Sequence, residues 1–333
     1  MKKKKQRKKK SSKLENEGLE PSDPKKPSFW MVFDLFIKEC GVINDWTDST
    51  YEKFAAARNH LLGFDNKLTF NKLDEGKLND YVLHLRFKKN LLNSTISKQL
   101  GYLKWFLKWA LRKGHHSNRE FELFKPKLKY AQKQVIFLDE SEIKQLIEYR
   151  IPDNKNYLER VRDVFLFCCF TGLRYSDVYR LRRSDIKDNH FEIVTIKTID
   201  KLIIEFNSHS LKILEKYKDI AFEKDKALPV ISNQKMNDYL KELCELAGLS
   251  EPVRIVHFKG NERIDEVYPK YSVIGTHTGR RSFICNALAL GIPVQVVMKW
   301  TGHSDYKSMR PYIDVADRIR AKAMVKFDDF LSY

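Results

Sequence analysis

The sequence predicts a mainly α-helical protein of two domains, with a small antiparallel β-sheet in the second. Three observations lead there. At 333 residues the chain is long enough for about two domains of ~100–200 residues each. Apolar residues recur at helical spacing along most of it, most cleanly at Ile96, Leu100, Leu103, Leu107, Ala110 and Leu111. Clear two-residue alternation is confined to one pair of segments, roughly 191–197 and 202–206, joined by Thr198-Ile199-Asp200-Lys201.

Each element has its own local reason. Residues 1–27 are Lys, Ser, Glu and Pro with almost nothing apolar, too little to offset the entropy of ordering, so they read as a disordered basic arm. Residues 28–116 read as a helical domain. Its helices span about 29–40, 51–62 behind a capping box at Ser49–Glu52, 72–88, and 94–113 up to Gly114. Lys104, Lys108 and Arg112 fall at i, i+4 and i+8, a stripe able to follow a phosphate backbone; a solvated helix face is the competing account. Residues 117–136 are Lys-rich and aperiodic, a linker.

The second domain, 137–333, begins where Asp139 can cap a helix with Glu142 three residues on, and Leu138 can staple to Ile143. A buried helix follows from about 157 to 170, ended by Thr171-Gly172. After the strand pair come helices near 208–217 and 235–247, then an irregular or strand-like stretch at 253–274. From Thr278 onward the chain reads helical, with turns at Gly291-Ile292-Pro293, at Thr301-Gly302-His303 and near Pro311. Val315, Ile319, Ala323, Phe327 and Leu331 make an apolar stripe that can dock on a neighbouring copy or pack on its own domain.

Charge narrows the partner. The formal net charge is +18, of which the first 26 residues hold +7 and the rest +11, so the body is basic without its arm. Such a chain draws a polyanion and releases its counterions. No stretch approaches the ~20 apolar residues that cross a bilayer, so no membrane is expected. The lysine run at Lys2–Lys10 lacks the apolar segment of a secretory signal. Cys40, Cys168, Cys169, Cys244 and Cys285 show no metal-ligand spacing, which fits a reducing, cytoplasmic setting with no metal and no disulfide framework.

Six residues of the second domain form a chemical set. Arg174 lies in Thr-Gly-Leu-Arg-Tyr-Ser-Asp, and Lys197 in Thr-Ile-Lys-Thr. His277 and Arg280 share His-Thr-Gly-Arg-Arg-Ser-Phe, 103 residues after Arg174. His303 is in Thr-Gly-His-Ser, and Tyr312 follows nine positions later. Breaking a phosphodiester needs a nucleophile, neutralised phosphate oxygens and a proton for the leaving oxygen. No carboxylate cluster near these motifs has metal-ligand spacing, but guanidinium groups bind phosphate oxygens through paired N–H donors. His277 and Arg280, at i and i+3, share a helix face, while Arg281 points elsewhere and reads as a DNA-backbone or structural contact. His303 reads as opening a helix, and Pro311 as interrupting the one before the tyrosine. A tyrosine hydroxyl, with a reference pKa of ~10, needs cationic neighbours or a base to attack. Tyr306 and Tyr333 are rivals to Tyr312. Asp177 can orient a neighbouring base or simply stabilise a first helical turn. Lys201 is a second candidate for the role of Lys197.

In order, context and spacing, from about residue 28 onward, the chain resembles the tyrosine recombinases, the phage integrase family. The resemblance implies a C-shaped clamp around DNA, with 28–116 as a helical core-binding (SAM-like) domain and 137–333 as the catalytic domain. It implies that Tyr312 attacks the scissile phosphate to give a 3′-phosphotyrosine, and that Arg174 and Arg280 hold the non-bridging oxygens. It casts His277 in handling the tyrosine proton, His303 in hydrogen-bonding the phosphate and Lys197 as general acid. Neither metal nor ATP nor another cofactor is implied. The implied partners are double-stranded DNA at recombination sites, a homotetramer on that DNA, and accessory DNA-bending or directionality proteins; the implied place is the cytoplasm, at the nucleoid. Two other readings compete: a type IB topoisomerase-like relaxing enzyme, and a non-catalytic DNA-binding regulator. This sequence departs from the family pattern at three places, Ile199 in the strand turn, Gly279 and Pro311.

Overall fold

The computed structural model describes residues 27–132, 134–195 and 201–321, the side chains of 318–321 excepted. The basic arm, but for residue 27, lies outside the described residues. So do Lys197, Tyr333 and Ala323, Phe327 and Leu331 of the apolar stripe, as does the side chain of Ile319. Chain contacts divide the protein into two compact units. One runs to Tyr130 and includes Phe258–Glu262; the other is Ala131–His257 with Arg263 onward.

The first unit is helical. Ser28 caps α1 (Phe29–Ile43) by accepting from Met31 N at 3.3 Å. In α2 (Asp48–Phe64) the expected box at Ser49 does not form. The chain is already extended at Thr47, which takes the N-cap position and leaves Ser49 inside the first turn. Asp74 caps α3 (Glu75–Leu83) by accepting from Lys77 N at 2.7 Å. This helix loosens into a single π-helical turn, His84–Lys88. Then come α4 (Asn93–Arg112), within one residue of its expected bounds, and the short α5 (Glu120–Leu123).

An aromatic core holds these helices. Phe33, Phe36, Phe54 and Phe106 are fully buried, and Trp46 stacks on Phe54 at 4.4 Å. Ring pairs of this kind contribute about 0.5–1.5 kcal/mol beyond their buried area. Two expectations change here. Phe121 and Phe124, in the segment read as linker, are buried in this same core, so the unit extends past residue 116. Lys104 is not a free member of a basic stripe: its ammonium donates to Phe124 O, and burial pulls its pKa down. Lys108 and Arg112 remain exposed.

The second unit opens with α6 (Glu140–Glu148), whose capping box forms as expected. Asp139 accepts from Glu142 N at 3.0 Å while Glu142 accepts from Asp139 N at 2.9 Å. Next are α7 (Tyr157–Thr171), α8 (Tyr175–Arg180) and the antiparallel pair β1 (His190–Val194) and β2 (Lys201–Glu205), with Phe191 opposite Ile204 and Val194 opposite Lys201. Phe191, Ile193, Leu202 and Ile204 turn inward. After α9 (Ser208–Tyr217) and α10 (Asn233–Leu246), the stretch read as irregular or strand-like resolves into a hairpin, β3 (Pro252–Lys259) and β4 (Glu262–Pro269), and a short α11 (Lys270–Val273). The chain continues through α12 (Thr276–Ala289), α13 (Val294–Thr301) and α14 (Arg310–Ala321).

Helix α7 is the buried axis, with Val164, Phe165 and Phe167 fully enclosed and α9, α10 and α12 packed around it. Pro311 does not interrupt a helix. It is the second residue of α14, where no intrahelical N–H bond is lost and the fixed φ favours initiation. All five cysteines are buried free thiols. Among the described residues no helix is long and apolar enough to cross a membrane.

Candidate active site

Two Thr-Gly pairs build the site. At the end of α7, Thr171 donates its hydroxyl back to Phe167 O at 2.6 Å, and Gly172 takes the left-handed conformation (φ 70°). At the end of α13, Thr301 donates to Val297 O at 2.6 Å, and Gly302 does the same (φ 61°). Left-handed glycines stop helices at no steric cost. At Gly172 a Cβ would stand 2.5 Å from the Phe283 ring, so the position excludes side chains twice over. Each stop delivers one candidate residue: Arg174 two positions after the first glycine, His303 directly after the second.

His303 therefore ends a helix rather than opening one. Its backbone N donates to Met298 O at 3.0 Å, the long bond that seals a helix C-terminus behind a left-handed glycine. Its Nδ1 lies 2.7 Å from Thr301 Oγ1. Because that hydroxyl already donates to Val297 O, it accepts from the imidazole, which puts the proton on Nδ1. Thr301 thus fixes the ring beside Arg280, whose Nη2 lies 3.4 Å from Nδ1 and 3.3 Å from Nε2.

Arg280 is the hub. It is 2% exposed, among the largest fully buried side chains of the protein. Its Nη1 donates to Gly172 O at 2.8 Å and its Nη2 to Thr301 O, so one guanidinium ties together both helix ends; His303 Nε2 is 3.3 Å from Nη2. Burial pulls its pKa down to about 10, and the charge of Arg174 adds to this, while Tyr312 and Asp177 act in the opposite sense. It stays protonated at neutral pH.

The depth of Arg280 is set by the residue before it. A Cβ on Gly279 would lie 2.8 Å from Cys168 Cβ and 3.2 Å from Phe165 O. The bare glycine lets α12 press directly on α7.

Arg174 is the N-cap residue of α8, in extended conformation, with Asp177 across the first turn at 3.8 Å. Arg174 Nη1 and Asp177 Oδ2 are both buried and neither has a hydrogen-bond partner. An unsatisfied buried polar group costs about 1–3 kcal/mol, and of this pair it is the Arg174 N–H, a donor, that an incoming oxygen can satisfy.

Tyr312 lies in the first turn of α14, half-buried. It packs on the cluster of Ile284, Leu288, Val297 and Met309, close enough to Arg280 for their charges to interact. Tyr306 sits in a separate 3₁₀ turn and is 55% exposed. His277 is exposed in the first turn of α12, one turn before Arg280. Arg281 is half-buried beside Cys285, away from Arg280. Lys201 starts β2 and pairs with Glu192 at 3.0 Å.

Sequence reasoning missed Gly172 and Thr301 as parts of the site. The signal was present in the repeated Thr-Gly before Arg174 and His303. It also missed Trp300, whose Nε1 donates to Glu205 Oε2 at 2.8 Å and ties α13 to β2.

Comparison with known proteins identifies the family and the fold. The model of the phage integrase family matches residues 136–318, and that of the phage integrase SAM-like domain matches residues 28–130. Tyrosine recombinase XerD of Rickettsia conorii is 22% identical over 281 residues, covering 80% of this chain and 89% of its own. Tyrosine recombinase XerC of Bacillus pumilus is 24% identical over 297 residues, covering 87% and 94%. Among solved structures, lambda integrase (residues 75-356) bound to DNA superposes with a TM-score of 0.64 at 13% identity, over 88% of this chain and 97% of that one. The XerH recombinase bound to palindromic difH in a post-cleavage complex gives 0.61 at 14%, over 87% and 84%. These structures share the fold.

Proposed function

Since the chain belongs to the phage integrase family and is a tyrosine recombinase, we propose that it cuts and rejoins DNA at specific sites through Tyr312. The phenol oxygen attacks the scissile phosphorus, the bond to the 5′ oxygen breaks, and a 3′-phosphotyrosine remains. Arg174 and Arg280 hold the two non-bridging oxygens as charge builds on them, and His303, with both ring nitrogens protonated, donates a hydrogen bond from Nε2. His277 takes the tyrosine proton, and Lys197 delivers one to the departing 5′ hydroxyl. A 5′ hydroxyl from a partner strand reverses the step. The bond energy stays in the phosphotyrosine and the guanidiniums supply the positive charge, so the reaction calls for neither ATP nor metal. Relaxation of the topoisomerase kind, or DNA binding without chemistry, is not favoured.

The observation that carries this reading is the convergence on Arg280 of two helix ends, His303 and Tyr312. The helical unit up to Tyr130 acts as the core-binding domain and the remainder as the catalytic domain. The assembly is a homotetramer on double-stranded DNA, as in the solved lambda integrase tetramer bound to a Holliday junction, helped by accessory DNA-bending or directionality proteins. The protein works in the cytoplasm, at the nucleoid.

Incubation with a nicked recombination site should trap a covalent protein–DNA adduct in the presence of EDTA. Tyr312→Phe should abolish it and Tyr306→Phe should not. An adduct that survives Tyr312→Phe would move the nucleophile elsewhere.

A further inference from the structure

We propose that Trp300 and Glu205 are positioning residues for leaving-group protonation: their hydrogen bond holds the strand pair β1–β2 in register with the helix end that carries His303. This rests on the recombinase reading, in which a lysine of that strand pair protonates the departing 5′ oxygen. The chain of β1 runs on toward Lys197, and Lys201 opens β2.

The second unit builds the two halves of the reaction on different supports. Phe191, Ile193, Leu202 and Ile204 of the strands belong to the hydrophobic cluster around α7. Tyr312 packs with Ile284, Val297 and Met309 in another cluster, drawn from α12, α13 and α14. Attack by the phenol and protonation of the leaving oxygen act on opposite sides of one phosphorus. The two supports therefore have to be held in register, because such chemistry is sensitive to small misplacements.

Apolar packing brings the supports together but does not fix their register. A Cβ on Gly302 would stand 3.2 Å from Leu202 Cδ2, so β2 lies directly under the end of α13. The Phe283 ring lies against Gly172 on one side and meets Trp300 edge-on at 6.0 Å on the other. Such contacts are non-directional and allow sliding. The bond from Trp300 Nε1 to Glu205 Oε2, at 2.8 Å, is directional. The indole N–H is only a donor and lies in the plane of a rigid ring, so it holds one place on β2. Two residues further on, Asn207 Nδ2 donates to Phe170 O at 2.7 Å, tying the exit of the strand to the end of α7 that precedes Arg174. Glu205 is exposed, so its bond contributes little to folding and its effect is one of direction.

The test uses the full chain and a nicked recombination site made in two forms, one with the natural bridging 5′ oxygen and one with sulfur in its place. A thiol, with a reference pKa of ~8.5, leaves as thiolate and needs no proton from the protein. Trp300→Phe and Glu205→Ala should each slow adduct formation on the oxygen substrate by about tenfold and leave the sulfur substrate near the wild-type rate. The double variant should be no slower than the slower single one, because both remove the same bond. Glu205→Gln keeps an acceptor and should keep most of the rate. Comparing two substrates within one variant cancels any loss of folded protein. Equal slowing on both substrates would overturn the positioning role, as would wild-type rates, additive losses, or a Glu205→Gln rate as low as that of Glu205→Ala. A wild-type protein that forms no Tyr312-dependent adduct on either substrate would instead overturn the recombinase reading, and the positioning role with it.

Discussion

Arg174 and Arg280 carry the same guanidinium but are built into the protein in opposite ways. Arg280 is buried and spends donors on Gly172 O and Thr301 O, so it is part of the scaffold before any DNA arrives. Arg174 has one long contact to Asp177 and a buried N–H without an acceptor, so it is held ready and contributes little to the fold. In the proposed mechanism one arginine defines where the phosphate goes, and the other waits for it. The comparison teaches that equal chemical roles need not carry equal structural roles.

The sharpest way to break this contrast is Arg280→Ala. It orphans two buried carbonyls at about 1–3 kcal/mol each, and Tm should fall by about 2–4 °C per kcal/mol. Cleavage should drop by more than the ~10²–10³-fold typical of losing one oxyanion donor. Unchanged thermal stability in this variant would remove Arg280 from the scaffold. Arg174→Ala should lose cleavage by about 10²–10³-fold with Tm at or above wild type and DNA binding retained. A destabilised Arg174 variant would erase the contrast, and full cleavage by it would end its phosphate role.

Gly279→Ala tests how finely the scaffold sets Arg280. Pushing α12 off α7 should slow cleavage by about tenfold, in keeping with the sensitivity of such chemistry to small misplacements. Cys168→Gly in the same chain, moving the extra carbon's space to the facing helix, should recover most of that loss. No recovery would mean that the helix contact is not what positions Arg280. The smallest effect is expected for Thr301→Val, which keeps the shape but removes the acceptor of His303 Nδ1–H. Cleavage should fall a few-fold, about 1 kcal/mol, with Tm shifted little. A wild-type rate would show that the ring needs no such anchor.

Much of this was legible beforehand, for identifiable reasons. The helix bounds of α4, α7 and α9 followed from apolar periodicity and from cap chemistry at Gly114 and Thr171-Gly172. The order Arg174, His277, Arg280, His303, Tyr312 pointed to one site, and the structure brings Arg174, Arg280, His303 and Tyr312 together. Local readings went astray where two local rules compete. Thr301-Gly302 before His303 fits either a helix start or a helix end, and only the left-handed Gly302 decides. Pro311 can break a helix or begin one, depending on its place in the turn. Lys104 lies on a plausible basic stripe, but the segment after Gly114 folds back and offers it Phe124 O, a long-range partner that no periodicity shows.

The burial of every native thiol has a practical side. Cys168 and Cys285 have pKa values pushed up to about 12 by burial, so at neutral pH they present almost no thiolate to an alkylating reagent. A cysteine introduced at an exposed position, such as Lys108 in α4, would be labelled by a maleimide dye in an otherwise unaltered sequence. Fluorescence from that one dye could then follow each protomer as it finds, holds and releases its DNA.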